Sequence, residues 1–198
     1  LDTRADELAR EAADITFEDE ASVENYSSLK SQADSAYEDM AKFIRDPEYC
    51  LPFLQPGRLL FIKESNNFWG WGALVNVHRN AKVNTESVIG NVTVTSSGIS
   101  YILDVLLLVK RGDSVIPFQP VTNICEDKTI ESQILQVSLS TLFKISAVRL
   151  NLPKQLSSSS DKLNVQKSMV ELHKRFDNGN KIPLLDSVAD MTIKHDDF

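Results

Sequence analysis

Leu54-Gln-Pro-Gly-Arg-Leu-Leu-Phe-Ile-Lys63 and Phe68-Trp-Gly-Trp-Gly-Ala-Leu-Val-Asn-Val77 decide the fold. Pro56-Gly57 is turn chemistry. Arg58 to Lys63 is a short apolar run of β-formers, Glu64-Ser-Asn-Asn67 a polar break, and Phe68 to Val77 a second run rich in aromatics and valines. Two such runs around a short polar loop predict a β-hairpin. Gly70 and Gly72 flank Trp71 inside the second run. Glycines within a strand mark a bulge, a bend or a close approach of backbone. A hairpin coiled in this way starts a small barrel better than a flat sheet.

Upstream, residues 4–14 are strong helix formers, and residues 18–46 predict a long helix. Val23, Tyr26, Lys30, Ala33, Tyr37, Met40 and Ile44 fall on one stripe, apolar except for Lys30. Asp46-Pro47 ends it, because the residue before a proline disfavours the α conformation. At about 1.5 Å per residue this helix would be roughly 40 Å long, longer than a small domain is wide, so part of it is expected to project as a stalk. Downstream, residues 78–100 and 110–131 read as irregular stretches, long loops with short strands inside, with Tyr101 to Val109 a clear strand between them. Residues 133–139 and 143–152 read as further strands, which completes a small β-barrel. After the polar break Ser157 to Ser160, with Ser160 or Asp161 as cap, residues 162–176 form a second amphipathic helix, and Gly179 follows its end. Ile182 to Asp186 is extended, and Ser187 to Ile193 starts one more turn. The layout is α+β: helix out, barrel, helix back. The segments are an ascending stalk over 1–53, a barrel over 54–156 and a returning helix with its exit over 157–198.

Charge separates these segments. Residues 1–50 hold five Lys and Arg against 14 Asp and Glu, whereas the rest of the chain holds 16 against 14. The acidity therefore belongs to the first quarter, and no long basic patch favours tight nonspecific nucleic-acid binding. No apolar run approaches the roughly 20 residues that cross a membrane. The polar opening is not a signal peptide, and Leu1 in place of Met fits a piece of a longer protein. Cys50 and Cys125 stand far apart without Cys-x-x-Cys spacing, which fits buried thiols in an intracellular protein better than a disulfide framework or a zinc site. No nucleotide-binding, metalloprotease or nucleophile-elbow motif is present. His78, His173 and His195 share no ligand spacing, and Glu126-Asp127 sits in an expected loop, so no catalytic residue and no metal ligand is assigned.

Strand alternation singles out two charged positions, Asp104 and Arg149, each set among apolar or small neighbours and away from the more apolar row of its strand. An outward Arg in such a setting can hold a peptide carboxylate with its planar fork; the bland alternative is a weak surface ion pair. Trp69 and Trp71 fill the barrel or, if exposed, stack on RNA bases, and burial is the expectation. Lys63, Arg79 and Lys82 flank the hairpin, where they could touch phosphates or simply be solvated.

Tyr49-Cys-Leu-Pro-Phe-Leu-Gln-Pro-Gly-Arg-Leu59, Gly70-Trp-Gly72, Ser146-Ala-Val-Arg-Leu150 with Pro153-Lys154, and Lys174-Arg-Phe176 followed by Ile182-Pro-Leu-Leu-Asp186 together resemble the arch insertion of the nuclear exosome DExH-box RNA helicase, the helicase of TRAMP-type complexes. The resemblance covers nearly the whole chain, and the order and spacing of the motifs are its specific part. It implies an SH3-like (KOW) β-barrel carried on an antiparallel helical stalk, in a nuclear protein. It also implies that the arch docks adaptor proteins, cofactors of the nuclear exosome, through a short Leu-Phe motif with a following Asp, and that it makes weak or supplementary contact with structured RNA. The family's adaptor-binding acidic residue falls at Asp104, and its Val-Arg pair at Val148 and Arg149, with Arg149 as the partner of the motif's carboxylate. RNA contact would fall to Lys63, Arg79 and Lys82. The ATP and magnesium of such a helicase belong to its ATPase core, so no cofactor is expected in this piece. Leu60-Phe61 where the family usually has a Lys, and Trp69-Gly-Trp-Gly72 for Phe-Gly-Trp-Gly, point to a specialised paralogue with its own adaptor preference. The alternative is a KOW-type module whose main ligand is structured RNA.

Overall fold

A computed structural model of the chain describes residues 19–65, 67–89, 92–112, 117–121, 124–125, 129–153, 156 and 158–193, with the side chains of 20 and 81–99 left aside. Residues 4–14, Glu126-Asp127, the Lys82 side chain and His195 lie outside this description. The chain divides into two compact units, 1–39 and 40–198.

The predicted long helix is α1, Glu20–Ile44, which starts in the first unit and ends in the second. In the first unit, Val23, Tyr26, Leu29 and Tyr37 of this helix are exposed. Its last turn is anchored: Ala41 is buried, Phe43 and Ile44 pack on the core, and Arg45 Nε donates to the Leu142 carbonyl at 2.7 Å. Asp46 ends one helix and caps the next: its carboxylate accepts from the Glu48 amide at 2.9 Å, and Pro47 opens the short α2, Pro47–Cys50. A 3-10 turn, Leu51–Phe53, delivers the chain to the Pro56-Gly57 turn.

The hairpin is β1, Arg58–Glu64, against β2, Asn67–Ile89. Their register shifts between Ile62 and Lys63, so a bulge does fall in the Gly70 region. Gly70 has φ +81, a left-handed backbone that a side chain would strain. Gly72 serves closure: a Cβ there would lie 2.4 Å from Val105 Cγ1 and 2.7 Å from Leu107 Cδ2.

The expectation of an irregular stretch at 78–100 is overturned. β2 runs on to Ile89, and β3, Val92–Arg111, pairs back along it from Ile89↔Val92 down to Ala73↔Leu106. The physical reason is composition. Val83, Thr85, Val88, Val92, Thr93, Val94 and Thr95 are β-branched, a residue type whose extended-backbone preference outweighs the Asn and Ser between them. In 110–131, β3 extends to Arg111, β4 (Phe118–Pro120) pairs with its end, and β5 (Ile130–Ser138) pairs with its other edge. A 3-10 turn over Leu139–Thr141 leads into β6, Leu142–Arg149, on β1. The result is one curled antiparallel sheet ordered β4-β3-β2-β1-β6, with β5 on β3.

Both faces of the centre of β3 are covered, since Leu103 and all residues from Val105 to Val109 are buried. The concave face holds Leu60, Ile62, Leu74, Leu103, Val105, Leu107, Leu142 and Ile145, together with Cys50 and Ile193. The barrel core thus draws on residues before and after 54–156. Burial pushes the Cys50 thiol pKa up to about 12, so it acts as an inert apolar group. The convex face, with Trp71, Ala73, Leu106 and Leu108, is covered by Val165 and Met169 of α3, Ser159–Arg175. Ser158, in extended backbone, caps α3 by accepting from the Asp161 amide at 3.1 Å, two to three residues ahead of the caps expected from sequence. The exit segment then lies on β6: Ser146 is fully buried, its Oγ donates to the Pro183 carbonyl at 2.7 Å, and Ser146 bridges Leu184. Trp71 bears out the burial reading, with its indole N–H donating to the Gly179 carbonyl at 3.0 Å.

His173, on the same convex face, gives a pH signature. It is buried, and its Nδ1 stands 2.8 Å from the Met169 carbonyl. A carbonyl only accepts, so Nδ1 carries the proton. Desolvation holds the folded-state pKa below the ordinary histidine value, against a smaller opposing effect of that hydrogen bond. With the folded pKa depressed, the unfolded chain takes up the proton first. The stability from His173 is therefore present above about pH 6.5 and is lost as pH falls below it. Thermal melts from about pH 7 to about pH 5 should show a larger fall in Tm for the wild type than for His173→Phe.

Candidate functional site

The Pro56-Gly57 turn is clamped to the end of β6. The Gly57 amide donates to Leu74 O at 2.7 Å, and its carbonyl accepts from the Leu150 amide at 2.8 Å. Gly57 has φ +87, and a Cβ there would lie 2.0 Å from Leu150 O. Only glycine lets the two segments approach this closely.

That approach sets two arginines side by side. Arg58 and Arg149 are direct partners across β1 and β6. Arg58, half-buried, donates from Nε to Phe53 O (3.2 Å) and from Nη1 to Ser146 O (3.2 Å) and Ala147 O (3.0 Å). Arg149, exposed, donates from Nε to Pro56 O and from Nη1 to Gln55 Oε1, both at 2.8 Å. Every acceptor is neutral, and among the described residues no carboxylate lies within ion-pair distance of either guanidinium. Burial, and then the charge of Arg149, lower the pKa of Arg58. Arg149 also borders an open groove of about 500 Å³ with Pro56, Val75, Leu150, Leu152 and Leu156 as its apolar walls. A fixed guanidinium at the lip of an apolar groove can take an acidic group and an adjoining apolar side chain together.

Asp104 is engaged elsewhere. Its Oδ2 lies 2.6 Å from His78 Nε2, and its Oδ1 accepts from Gln136 Nε2 at 3.1 Å. Strands β2 and β1 separate β3 from β6. At 4.7–4.9 Å between neighbours this is roughly 14 Å along the sheet. Asp104 therefore does not hold Arg149.

A second feature lies at the opposite end of the hairpin. Lys63 Nζ stands 5.2 Å from the Phe68 ring centroid and 4.8 Å from that of Phe143. Lys144 Nζ lies 5.6 Å from Phe143 and 6.0 Å from Phe61. Phe68 is exposed.

The model of the family described as Mtr4-like, beta-barrel domain, matches residues 46–198 of this chain. The chain belongs to the Mtr4-like β-barrel family. The human exosome RNA helicase MTR4 is 34% identical over 187 residues, which is 91% of this chain and 16% of that protein. The ATP-dependent RNA helicase mtr4 of Schizosaccharomyces pombe is 31% identical over 204 residues, covering all of this chain and 18% of the relative. The chain thus spans less than a fifth of the length of these curated relatives.

Within this Mtr4-like barrel the residues singled out from sequence are distributed unevenly. Arg149 stands at the groove. Val148 packs, half-buried, on the convex core under α3 and does not line the groove. Asp104 joins His78 and Gln136. Lys63 sits in the aromatic cluster, whereas Arg79 pairs with Tyr101 farther up the hairpin. Phe68 and Arg79 are eleven positions apart along β2, roughly 35 Å of strand, so these two basic residues do not form one patch. Sequence reading missed Arg58, Val75 and Leu152 as neighbours of Arg149, and His78 as the partner of Asp104. The signal for Arg58 is its place directly after the Pro56-Gly57 turn. Leu152 is only three residues from Arg149 along the chain, whereas the placing of Val75 and of His78 depends on strand register, which no local pattern carries. Among the described residues no cluster of three or more His, Cys, Asp or Glu could hold a metal ion, and no helix is long and apolar enough to cross a membrane.

Proposed function

We propose that this Mtr4-like barrel is the non-catalytic arch region of a nuclear exosome-associated RNA helicase and docks adaptor proteins through short linear motifs. The motif places its acidic residue on Arg149 and its Leu-Phe side chains in the neighbouring groove. The observation that carries this reading is Arg149 itself: exposed, fixed by Gln55 and Pro56, and set beside apolar walls with no carboxylate of its own. The relatives, an exosome RNA helicase and an ATP-dependent RNA helicase, support the assignment of the parent protein. ATP and magnesium would be handled by other parts of that parent. Asp104, held by His78 and Gln136, and Val148, packed on the convex core, lie outside this groove.

The test is calorimetric titration with a peptide containing Leu-Phe and a following Asp, and with the same peptide carrying Asn for Asp. Micromolar binding that weakens about tenfold or more with the Asn peptide is expected, since a charge-assisted bidentate pair is lost. Equal binding of the two peptides, or none, contradicts the reading.

The alternating Lys63, Lys144 and phenylalanine rings favour a second, supplementary reading, contact with RNA. Aromatic faces stack bases, and lysines between them meet phosphates. Weak RNA binding that falls steeply with salt and is reduced in Phe68→Ala is expected. RNA binding unchanged by that substitution contradicts this placement.

A further inference from the structure

We propose that Arg58 and Arg149 together form a clamp for a dianion, a phosphoserine or phosphothreonine standing where the docking motif carries its acid, so that phosphorylation of a partner strengthens its docking. The inference rests on the docking reading above and adds a regulated form of its ligand.

Two arginines directly opposite on neighbouring antiparallel strands are an unfavourable pair, because like charges at cross-strand positions repel. A sheet tolerates such a pair most easily when a counter-charge arrives from outside. Nothing in the described protein supplies one. The five hydrogen bonds of the two side chains go to four main-chain carbonyls and one amide oxygen, which fix the guanidiniums without neutralising them. Each guanidinium carries five N–H donors, and both Nη2 groups donate to no described residue. Two unneutralised charges and several unspent donors thus stand pre-positioned side by side, Arg149 in the groove lining and Arg58 next to it across the strand pair.

The charge balance decides what fits best. A carboxylate brings one negative charge and two acceptor oxygens, enough for one fork. A phosphate monoester brings about 1.5 to 2 negative charges at pH 7 and three strong acceptor oxygens, enough for both. Phosphodiesters of RNA carry a single charge each and match the pair less well. The groove walls are mainly apolar, so the neighbouring side chains of a peptide contribute where a free phosphate cannot.

The experiment compares three peptides of one Leu-Phe frame, carrying Asp, Ser or phosphoserine at the acidic position. Each is titrated into the wild type, Arg58→Lys and Arg149→Lys. The lysine variants keep the charge and lose the fork, and thermal melts identify any variant that has not folded. Expected is binding of the phosphoserine peptide about tenfold tighter than the Asp peptide, with a steeper salt dependence and a loss of that advantage below about pH 6, where the phosphate takes up a proton. The advantage should shrink in both lysine variants, or, where one does not fold, in the other. If the Asp peptide binds and phosphoserine binds no more tightly, the clamp is overturned while the docking reading stands. If none of the three binds, the docking reading itself fails and the clamp with it. Displacement of the phosphoserine peptide by a single-stranded RNA at equal concentration assigns the pair to nucleic acid and also overturns the proposal.

Discussion

Gly57→Ala is expected to be the most damaging single substitution on the functional surface. The residue has φ +87, where a Cβ costs about 1–2 kcal/mol in backbone strain. The Cβ would also stand 2.0 Å from Leu150 O, a contact that backbone can relieve only by moving. Overpacking of this kind costs about 1–3 kcal/mol more. Movement there would strain the bonds from the Gly57 amide to Leu74 and from the Leu150 amide to Gly57, which join β2, the turn and the end of β6. At about 2–4 °C per kcal/mol for a chain of this size, thermal melting should fall by roughly 5–20 °C. Peptide binding should weaken in what remains folded, because Arg149 and Leu150 move with the turn. A melting temperature within a degree or two of wild type would mean that the turn is not held as described.

Arg58→Ala is expected to have the second largest effect, and it should affect stability and binding together. Arg58 donates to the carbonyls of Phe53, Ser146 and Ala147, and so ties the 3-10 turn before β1 to the middle of β6. Each partly buried acceptor left without its donor costs about 1–3 kcal/mol where water does not replace it. Docking should weaken as well, since Arg149 loses the neighbour that shares its field. Arg149 is different in kind: it is exposed, and its two bonds reach only Gln55 and Pro56 at the rim. Its removal should leave the melt nearly unchanged. The contrast between the two arginines separates a residue that builds the surface from one that works on it.

Much of this arrangement could be read from the chain before its coordinates. Pro56-Gly57, the paired apolar runs and the strand at Tyr101 to Val109 are local signals, and they led to the hairpin and the curled sheet. Asp46-Pro47 placed the end of α1 within two residues. The long ribbon of β2 and β3 was read as a loop with short strands inside, because Asn, Ser and Gly punctuate it as they would a turn region. The two arms pair continuously along a stretch rich in β-branched residues. At the site, Arg149 was legible from alternation and from the family resemblance, but its setting was not. Arg58 and Val75 reach it from two other strands, and only register brings them together. Asp104 shows the same limit from the other side. Alternation identified it as an unusual charge, while its partners His78 and Gln136 lie 26 and 32 residues away on two other strands.

In the proposed docking, Arg149 receives a partner's acidic residue. This is tested most directly by titrating a Leu-Phe peptide with a following Asp into wild type and Arg149→Glu, with a thermal melt of each. The account predicts micromolar binding by the wild type, its loss by at least about 100-fold in the reversed charge as attraction becomes repulsion, and melts that coincide within about 2 °C. Binding retained by a folded Arg149→Glu would contradict it, and would move the docking surface away from this groove.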